Sequence, residues 1–186
     1  MGVDKMFLLE YIKNPRKVGA IAPSSKHLAC KMVESIDFEH AKCIVEYGPG
    51  TGVFTEKLLA RAEEDTKIIL FEINKEFYEI LVNLYGHKKN VIILNESAEN
   101  IKEVIKKYNI KRVDYIVSGL PFISLPKEVS EKILKNTADV LKDHGKFITF
   151  QYSMVKKKLF KKFFPSVRAK RTLANIPPAY VLSCNN

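Results

Sequence analysis

Two kinds of apolar patterning alternate along the chain. Short, nearly continuous runs of Val, Ile, Leu and Phe occur at CIVEYG (43–48), KIILFEI (67–73), NVIILNESA (90–98), VDYIVSG (113–119) and KFITFQYS (146–153). Between them lie stretches whose apolar positions return every three to four residues: TGVFTEKLLARAEE (51–64), KEFYEILVNLYG (75–86), ENIKEVIKKYN (99–109) and a segment from Pro126 through Leu141, with Gly145 as its stop. Unbroken apolar runs of this length predict strands buried on both faces, and the period-3.6 stretches predict the covering helices. Proline at a first helical turn and glycine after a last one set the ends. Five βα units in a row predict an α/β fold, a Rossmann-like doubly wound and mostly parallel sheet. After Pro165 the pattern changes. VRAKRTLAN (167–175) and AYVLSCN (179–185) are two extended segments separated by IPP, which predicts a C-terminal antiparallel hairpin on the sheet edge. An N-terminal helical lead-in over about residues 1–37, with Ser24 or Ser25 capping a helix that runs to about Ile36, precedes a core spanning 38–186.

Length and composition narrow the reading. The 186 residues, 46% of them hydrophobic, suffice for one domain with a proper core. No apolar run approaches the ~18 residues of a membrane span. The start, MGVDKMFLLEYIKNP, lacks the pattern of a secretory signal. Cys30, Cys43 and Cys184 are odd in number, scattered and without metal-ligand spacing, so a reduced cytoplasmic compartment and no metal are expected. His27, His40, His87 and His144 are read as structural.

Charge adds a partner class. The net charge of +10 gathers in two segments, one holding Lys13, Arg16, Lys17, Lys26 and Lys31, the other Lys156, Lys157, Lys158, Lys161, Lys162, Arg168, Lys170 and Arg171. Cations concentrated in this way suit an anionic partner, either nucleic acid or the surface of an anionic membrane.

In a doubly wound sheet the ligand sits beyond the C-terminal strand ends, where the strand order reverses. The first strand delivers EYGPGTG there, with Glu46, Gly48, Pro49, Gly50, Thr51 and Gly52. Glycines admit positive φ and close backbone approach, and a helix opening near Gly52 would point free N–H groups at a ligand. The third glycine falls one residue earlier than the dinucleotide fingerprint requires, and no Lys-Ser/Thr pair follows to hold a nucleoside triphosphate. The second strand ends in Glu72 and Ile73, an acid well placed for the hydroxyls of a ribose.

These motifs together resemble the class I S-adenosylmethionine-dependent methyltransferases. The resemblance implies that Glu46 and the loop 48–52 face the methionine part of S-adenosylmethionine, that Glu72 binds its ribose, and that Ser97 or Ala98 lies near its adenine. Ser24 and Ser25 would sit in a lid near the methionine end. S-adenosylhomocysteine would be the product.

Two subfamilies fit in different ways. The rRNA adenine N6-dimethyltransferases share the lead-in, the GPGTG loop and an Asn-Leu-Pro-aromatic motif after strand four. Here that motif reads SGLPF (118–122), with Gly119 in place of the Asn that would orient the planar amine of adenine. The chain also ends at residue 186, where no further helical domain is expected. Over nearly its whole length the sequence resembles the bacterial-type phospholipid N-methyltransferases, in FLLEYIKNPRKVGAIAPSS (7–25), VEYGPGTGVFT (45–55), SGLPF and NIPPAYV (175–181). That resemblance implies methylation of phosphatidylethanolamine and its partly methylated forms by a protein bound peripherally to the inner face of the cell membrane, with methylation of a small amine as a further alternative to the rRNA adenine reading. The carbonyls of Ser118 and Gly119, with Leu120, would then lie near the methyl donor. Phe122, Tyr152 and Tyr180 are the aromatic candidates for holding a methylated ammonium by cation–π contact. Two stretches are the candidates for contact with lipid. VKKKLFKKFF (155–164) places Val155, Leu159, Phe160, Phe163 and Phe164 on one half of a helix and most of its lysines on the other. MFLLEYI (6–12) is the second.

Overall fold

A computed structural model describes residues 26–155, 157–172 and 178–185. The lid serines Ser24 and Ser25 and the MFLLEYI stretch fall outside them. Seven strands form one sheet in the order β3-β2-β1-β4-β5-β7-β6. They are β1 (Cys43–Tyr47), β2 (Lys67–Phe71), β3 (Val91–Leu94), β4 (Val113–Ser118), β5 (Leu141–Gln151), β6 (Ser166–Thr172) and β7 (Ala179–Asn185). The pairs β1/β2, β1/β4, β2/β3 and β4/β5 are parallel, whereas β7 runs antiparallel to both β5 and β6. The expected C-terminal hairpin is therefore present, and its second strand is the one inserted against the parallel sheet.

Helices cover both faces. On one lie α1 (Lys26–Val33), α2 (Val53–Leu59) and α3 (Lys75–Tyr85); on the other α4 (Ile101–Lys107) and α5 (Lys127–Val140), with the single turn α6 (Lys157–Phe160). Strand residues alternate between the two cores, as a pleated sheet requires: Ile44, Ile68 and Ile148 pack with α1 and α2, while Val45, Ile69 and Phe147 pack with α4 and α5. The elements match the sequence pattern closely. The fifth strand differs: Leu141 pairs with Val113, and regular pairing with β4 resumes only at Lys146. The residues between bulge outward at His144, whose φ is 67°.

The stretch 155–164 corrects an expectation. Only Lys157–Phe160 is helical, and Phe160 and Phe164 are fully buried. Both stack on Phe147, with ring centroids 6.3 and 5.6 Å away. Phe160 and Phe164 of this amphipathic pattern face the sheet core rather than lipid, whereas Val155 at its start is exposed. Phe122 is corrected for the same reason. It is 0% exposed and sits edge-on to Phe147 at 6.0 Å and Phe160 at 5.4 Å. Its ring is a core ring, with no face turned to a substrate.

Candidate active site

The strand order reverses between β1 and β4, and the two loops leaving these strands meet there. Gly119 N–H donates to Tyr47 O at 2.8 Å. A Cβ on Gly119 would stand 2.7 Å from Gly48 O, and a Cβ on Gly48 would stand 2.9 Å from the Leu120 side chain. Three positive φ values, 62°, 57° and 85° at Gly48, Gly50 and Gly52, turn the chain sharply out of β1. Gly52 N–H donates back to Pro49 O at 2.9 Å, and Gly52 is the N-cap of α2. The space a Cβ on Gly50 would enter is open, so this loop presents bare backbone to the crevice.

Two carboxylates flank the loop. Glu46 is fully buried in β1; its Oε2 accepts from Thr55 Oγ1 at 2.7 Å, and its Oε1 has no hydrogen-bond partner among the described residues. Burial pushes its carboxyl up to about 8; the neighbouring Glu72 adds to the rise and the Thr55 hydroxyl opposes it. Glu72 follows β2. Its Oε2 accepts from Gly50 N–H at 2.9 Å and its Oε1 from Asn74 N–H at 2.8 Å. Burial raises its pKa, and backbone N–H donors resist the rise. Neither acid joins an ion pair among the described residues, and a positively charged ligand in the crevice would draw both carboxyls back toward their charged forms.

S-adenosylmethionine fits this donor set. It carries an ammonium and a sulfonium charge to match the unpaired Glu46 oxygen, and each Glu72 oxygen retains a lone pair for a ribose hydroxyl. Glu46 and the loop 48–52 would hold its methionine part and Glu72 its ribose.

The remaining sequence candidates fall into three groups. Ser97 caps the short 3-10 turn Ala98–Asn100: its Oγ accepts from Glu99 N–H at 3.3 Å and bonds Glu99 Oε2 at 3.1 Å. Ser97 and Ala98 are buried, and they follow β3 on the same side of the sheet as Ile73. Ser118 ends β4; its Oγ accepts from Leu120 N–H at 3.2 Å and its carbonyl from Thr149 Oγ1 at 3.2 Å. That carbonyl keeps a second lone pair, and the Gly119 backbone borders Gly48. Tyr152 follows β5 and meets Phe150 edge-on at 5.6 Å, and Tyr180, second in β7, pairs with Gln151; both are half-buried.

Three residues that shape the site were not legible as such. Thr55 holds Glu46. Asn95 donates through Nδ2 to the carbonyls of Glu72 and Ile73, at 2.9 and 3.1 Å, and ties the β3 exit to the β2 exit. Asn74 caps α3 by accepting from Glu76 and Phe77 N–H groups at 2.8 and 3.2 Å, which aims the first turn of α3 at the crevice. An Asn directly before a periodic apolar run signals such a cap; nothing local signals Thr55 or Asn95. Among the described residues, no group of three or more His, Cys, Asp or Glu is placed to hold a metal.

Comparison with known proteins accords with this geometry. The chain is 29% identical over 181 residues to an ornithine lipid N-methyltransferase of Singulisphaera acidiphila, covering 96% of this chain and 94% of that protein. It is 32% identical over 100 residues to a ribosomal RNA small subunit methyltransferase A of Mycoplasma capricolum, covering 53% of this chain but only 36% of that protein. Its fold superimposes on a 16S rRNA methyltransferase of T. thermophilus in complex with AdoMet and guanosine with a TM-score of 0.65, at 16% identity, covering 92% of this chain and 45% of that one. Residues 23–175 match the family described as ribosomal RNA adenine dimethylase. A reversed strand order with a bare glycine turn at the switch point, two unpaired acids beside it and a match across most of the chain have one common explanation: the chain belongs to the ribosomal RNA adenine dimethylase family and is an S-adenosylmethionine-dependent methyltransferase.

Proposed function

We infer that the acceptor is the aliphatic amine of a lipid headgroup, that of phosphatidylethanolamine and its partly methylated forms or of an ornithine lipid, methylated by a protein bound peripherally to an anionic membrane surface. One observation carries this reading. Position 119 is Gly, and its bare backbone lies so close to the first loop that a Cβ there would stand 2.7 Å from Gly48 O, so this chain presents no side-chain amide there to orient the planar amine of adenine. An adenine amine held without that acceptor in a dry site costs roughly 1–3 kcal/mol. An aliphatic amine has no ring plane to fix and loses little by the change. The near end-to-end likeness to a protein named for lipid methylation supports the same reading.

When bound, S-adenosylmethionine supplies a methyl group on a positively charged sulfur, an electrophilic carbon for an amine nitrogen. The chain's own residues position that nitrogen and exclude water around it. The Gly119 backbone borders the donor side, and Tyr180 remains as an aromatic face for the methylated ammonium once Phe122 is assigned to the core; Tyr152 packs beside Phe150 in the core on the opposite face of the sheet. A contact with the bilayer through exposed Lys158, Lys161 and Lys162 replaces the apolar insertion expected from the 155–164 pattern. Among the described residues, no helix is long and apolar enough to cross a membrane.

The test is transfer of labelled methyl groups from S-adenosylmethionine, offered in parallel to phosphatidylethanolamine vesicles, ornithine-lipid vesicles and ribosomal RNA. Label in either lipid is the expected outcome. Label in RNA alone would establish the adenine reading instead, which the rRNA relatives over about half the chain make the natural second choice.

A further inference from the structure

We propose that Gln151, Tyr180 and Arg171 form a recognition site for the anionic group, phosphate or carboxylate, that lies a few bonds from the acceptor amine. The proposal rests on the lipid-amine reading and adds the part of the headgroup that this reading leaves unbound.

The three residues stand in one row. Gln151 of β5 pairs with Tyr180 of β7, and Tyr180 pairs with Arg171 of β6. Residues directly opposite one another across antiparallel strands share a face. Phe147 with Cys184, two steps of the same alternation away, shows which face it is: the one covered by α4, α5 and α6. The row lies at the C-terminal end of the parallel strands, the end that carries the glycine loop. Gln151 is two residues beyond Thr149, which pairs with the last residue of β4, Ser118. It thus stands next to the turn at Gly119 where the amine is expected.

Each member offers what an anion needs. Gln151 is only 5% exposed, yet its Nε2 has no hydrogen-bond partner among the described residues. A buried amide donor without a partner costs about 1–3 kcal/mol, and natural proteins keep such groups where something else satisfies them. Tyr180 brings a hydroxyl. Arg171 is exposed and joins no ion pair among the described residues, unlike Lys170 beside it, whose Nζ reaches Glu34 at 3.1 Å. The guanidinium is the side chain best matched to phosphate or carboxylate oxygens.

The spacing also agrees. Neighbouring strands lie ~4.8 Å apart, so an amine at the end of β4 and an anion over β5 and β7 are separated by one to two strand widths. In phosphatidylethanolamine an ethylene unit and an ester oxygen separate nitrogen from phosphorus, which fits the shorter of these spans. In ornithine a carboxylate plays the same part. Arg171, one strand further out, stands opposite Tyr180 in the same row and is long enough to close the site.

The experiment follows the Gln151 side-chain amide in 1H–15N spectra of the full chain, assigned by its absence in Gln151→Leu, during titration with phosphoethanolamine, ethanolamine, ornithine and inorganic phosphate. Phosphoethanolamine should shift this resonance saturably, and Arg171→Gln should weaken its binding about tenfold, the loss of one charge-assisted contact. Arg168→Gln removes the same charge from the opposite face of β6 and should change the affinity less than twofold. Inorganic phosphate should compete with phosphoethanolamine. Ornithine binding at the same resonance would identify a carboxylate as a second accepted anion and would also support the site. A silent Gln151 resonance, equal binding of ethanolamine without its phosphate, or equal losses in the two arginine variants would overturn the proposal. Methyl transfer is not the readout. A responding resonance in a protein that labels no lipid would leave the anion site standing and remove the lipid-amine reading.

Discussion

The two ends of the sheet's catalytic edge are built by different means. At the β1–β2 end the chemistry is carried by backbone: three left-handed glycines, N–H groups of Gly50 and Asn74 on Glu72, and a buried Glu46 held by one hydroxyl. At the β5–β7–β6 end it is carried by side chains that distant segments bring into one row. The first kind of site is fixed by a few adjacent residues and suits a ligand common to a whole family. The second depends on how three strands align and can vary with the acceptor. The Phe122–Phe147–Phe160–Phe164 cluster lies beneath the second end and holds its strands in place.

The strongest way to break this division is Phe160→Ala. As a core ring it should cost about 3–5 kcal/mol in urea unfolding. A variant of unchanged stability that no longer binds vesicles would restore the lipid-inserting helix. Next comes pH. The Glu46 carboxyl is raised from its ordinary 4.5 to about 8, so the folded state holds a proton that the unfolded chain releases. Stability should therefore fall as pH rises from 4.5 to about 8 and level off beyond, by a few kcal/mol in all at ~1.4 kcal/mol per unit. In denaturation at pH 5 and pH 8, Glu46→Gln should show a clearly smaller decline, the remainder coming from Glu72, whose carboxyl burial also raises; an identical decline would assign it wholly to another group.

A third test, Gly119→Asn, drives a Cβ to 2.7 Å from Gly48 O. Overpacking of this kind should cost roughly 1–3 kcal/mol and weaken S-adenosylhomocysteine binding, read by calorimetry. Wild-type stability with new activity on adenosine would undo the argument from Gly119. Glu72→Ala should then weaken the same ligand about tenfold, ~1.4 kcal/mol. An unchanged affinity would remove the ribose role. The smallest effect is expected at the surface: Lys158→Gln or Lys161→Gln should each reduce binding to anionic vesicles by up to ~1 kcal/mol without altering thermal unfolding.

Much of the first end was legible in the chain. EYGPGTG followed by an acid after the next apolar run is a local pattern, and its glycines have the positive φ that only such a sequence accepts cheaply. The second end was legible in part. Tyr180 and Tyr152 stood out as aromatics at strand ends, but Phe122 stood out equally and proved to be core. Gln151 gave no signal, because an amide at the end of an apolar run looks like any strand terminus until its neighbours are known. The pattern at 155–164 misled for a related reason: alternating phenylalanines and lysines look the same whether the apolar side meets lipid or a bare sheet.

The sequence by itself determined the βα alternation, the parallel sheet, the glycine turn and the acid that faces it, since periodicity and backbone conformation act between near neighbours. Only the tertiary structure decided that Gly119 lies against Gly48, that β7 is inserted beside β5, and which aromatic rings are buried. Those outcomes depend on contacts between residues far apart in the chain, where packing chooses among surfaces that local pattern leaves equivalent.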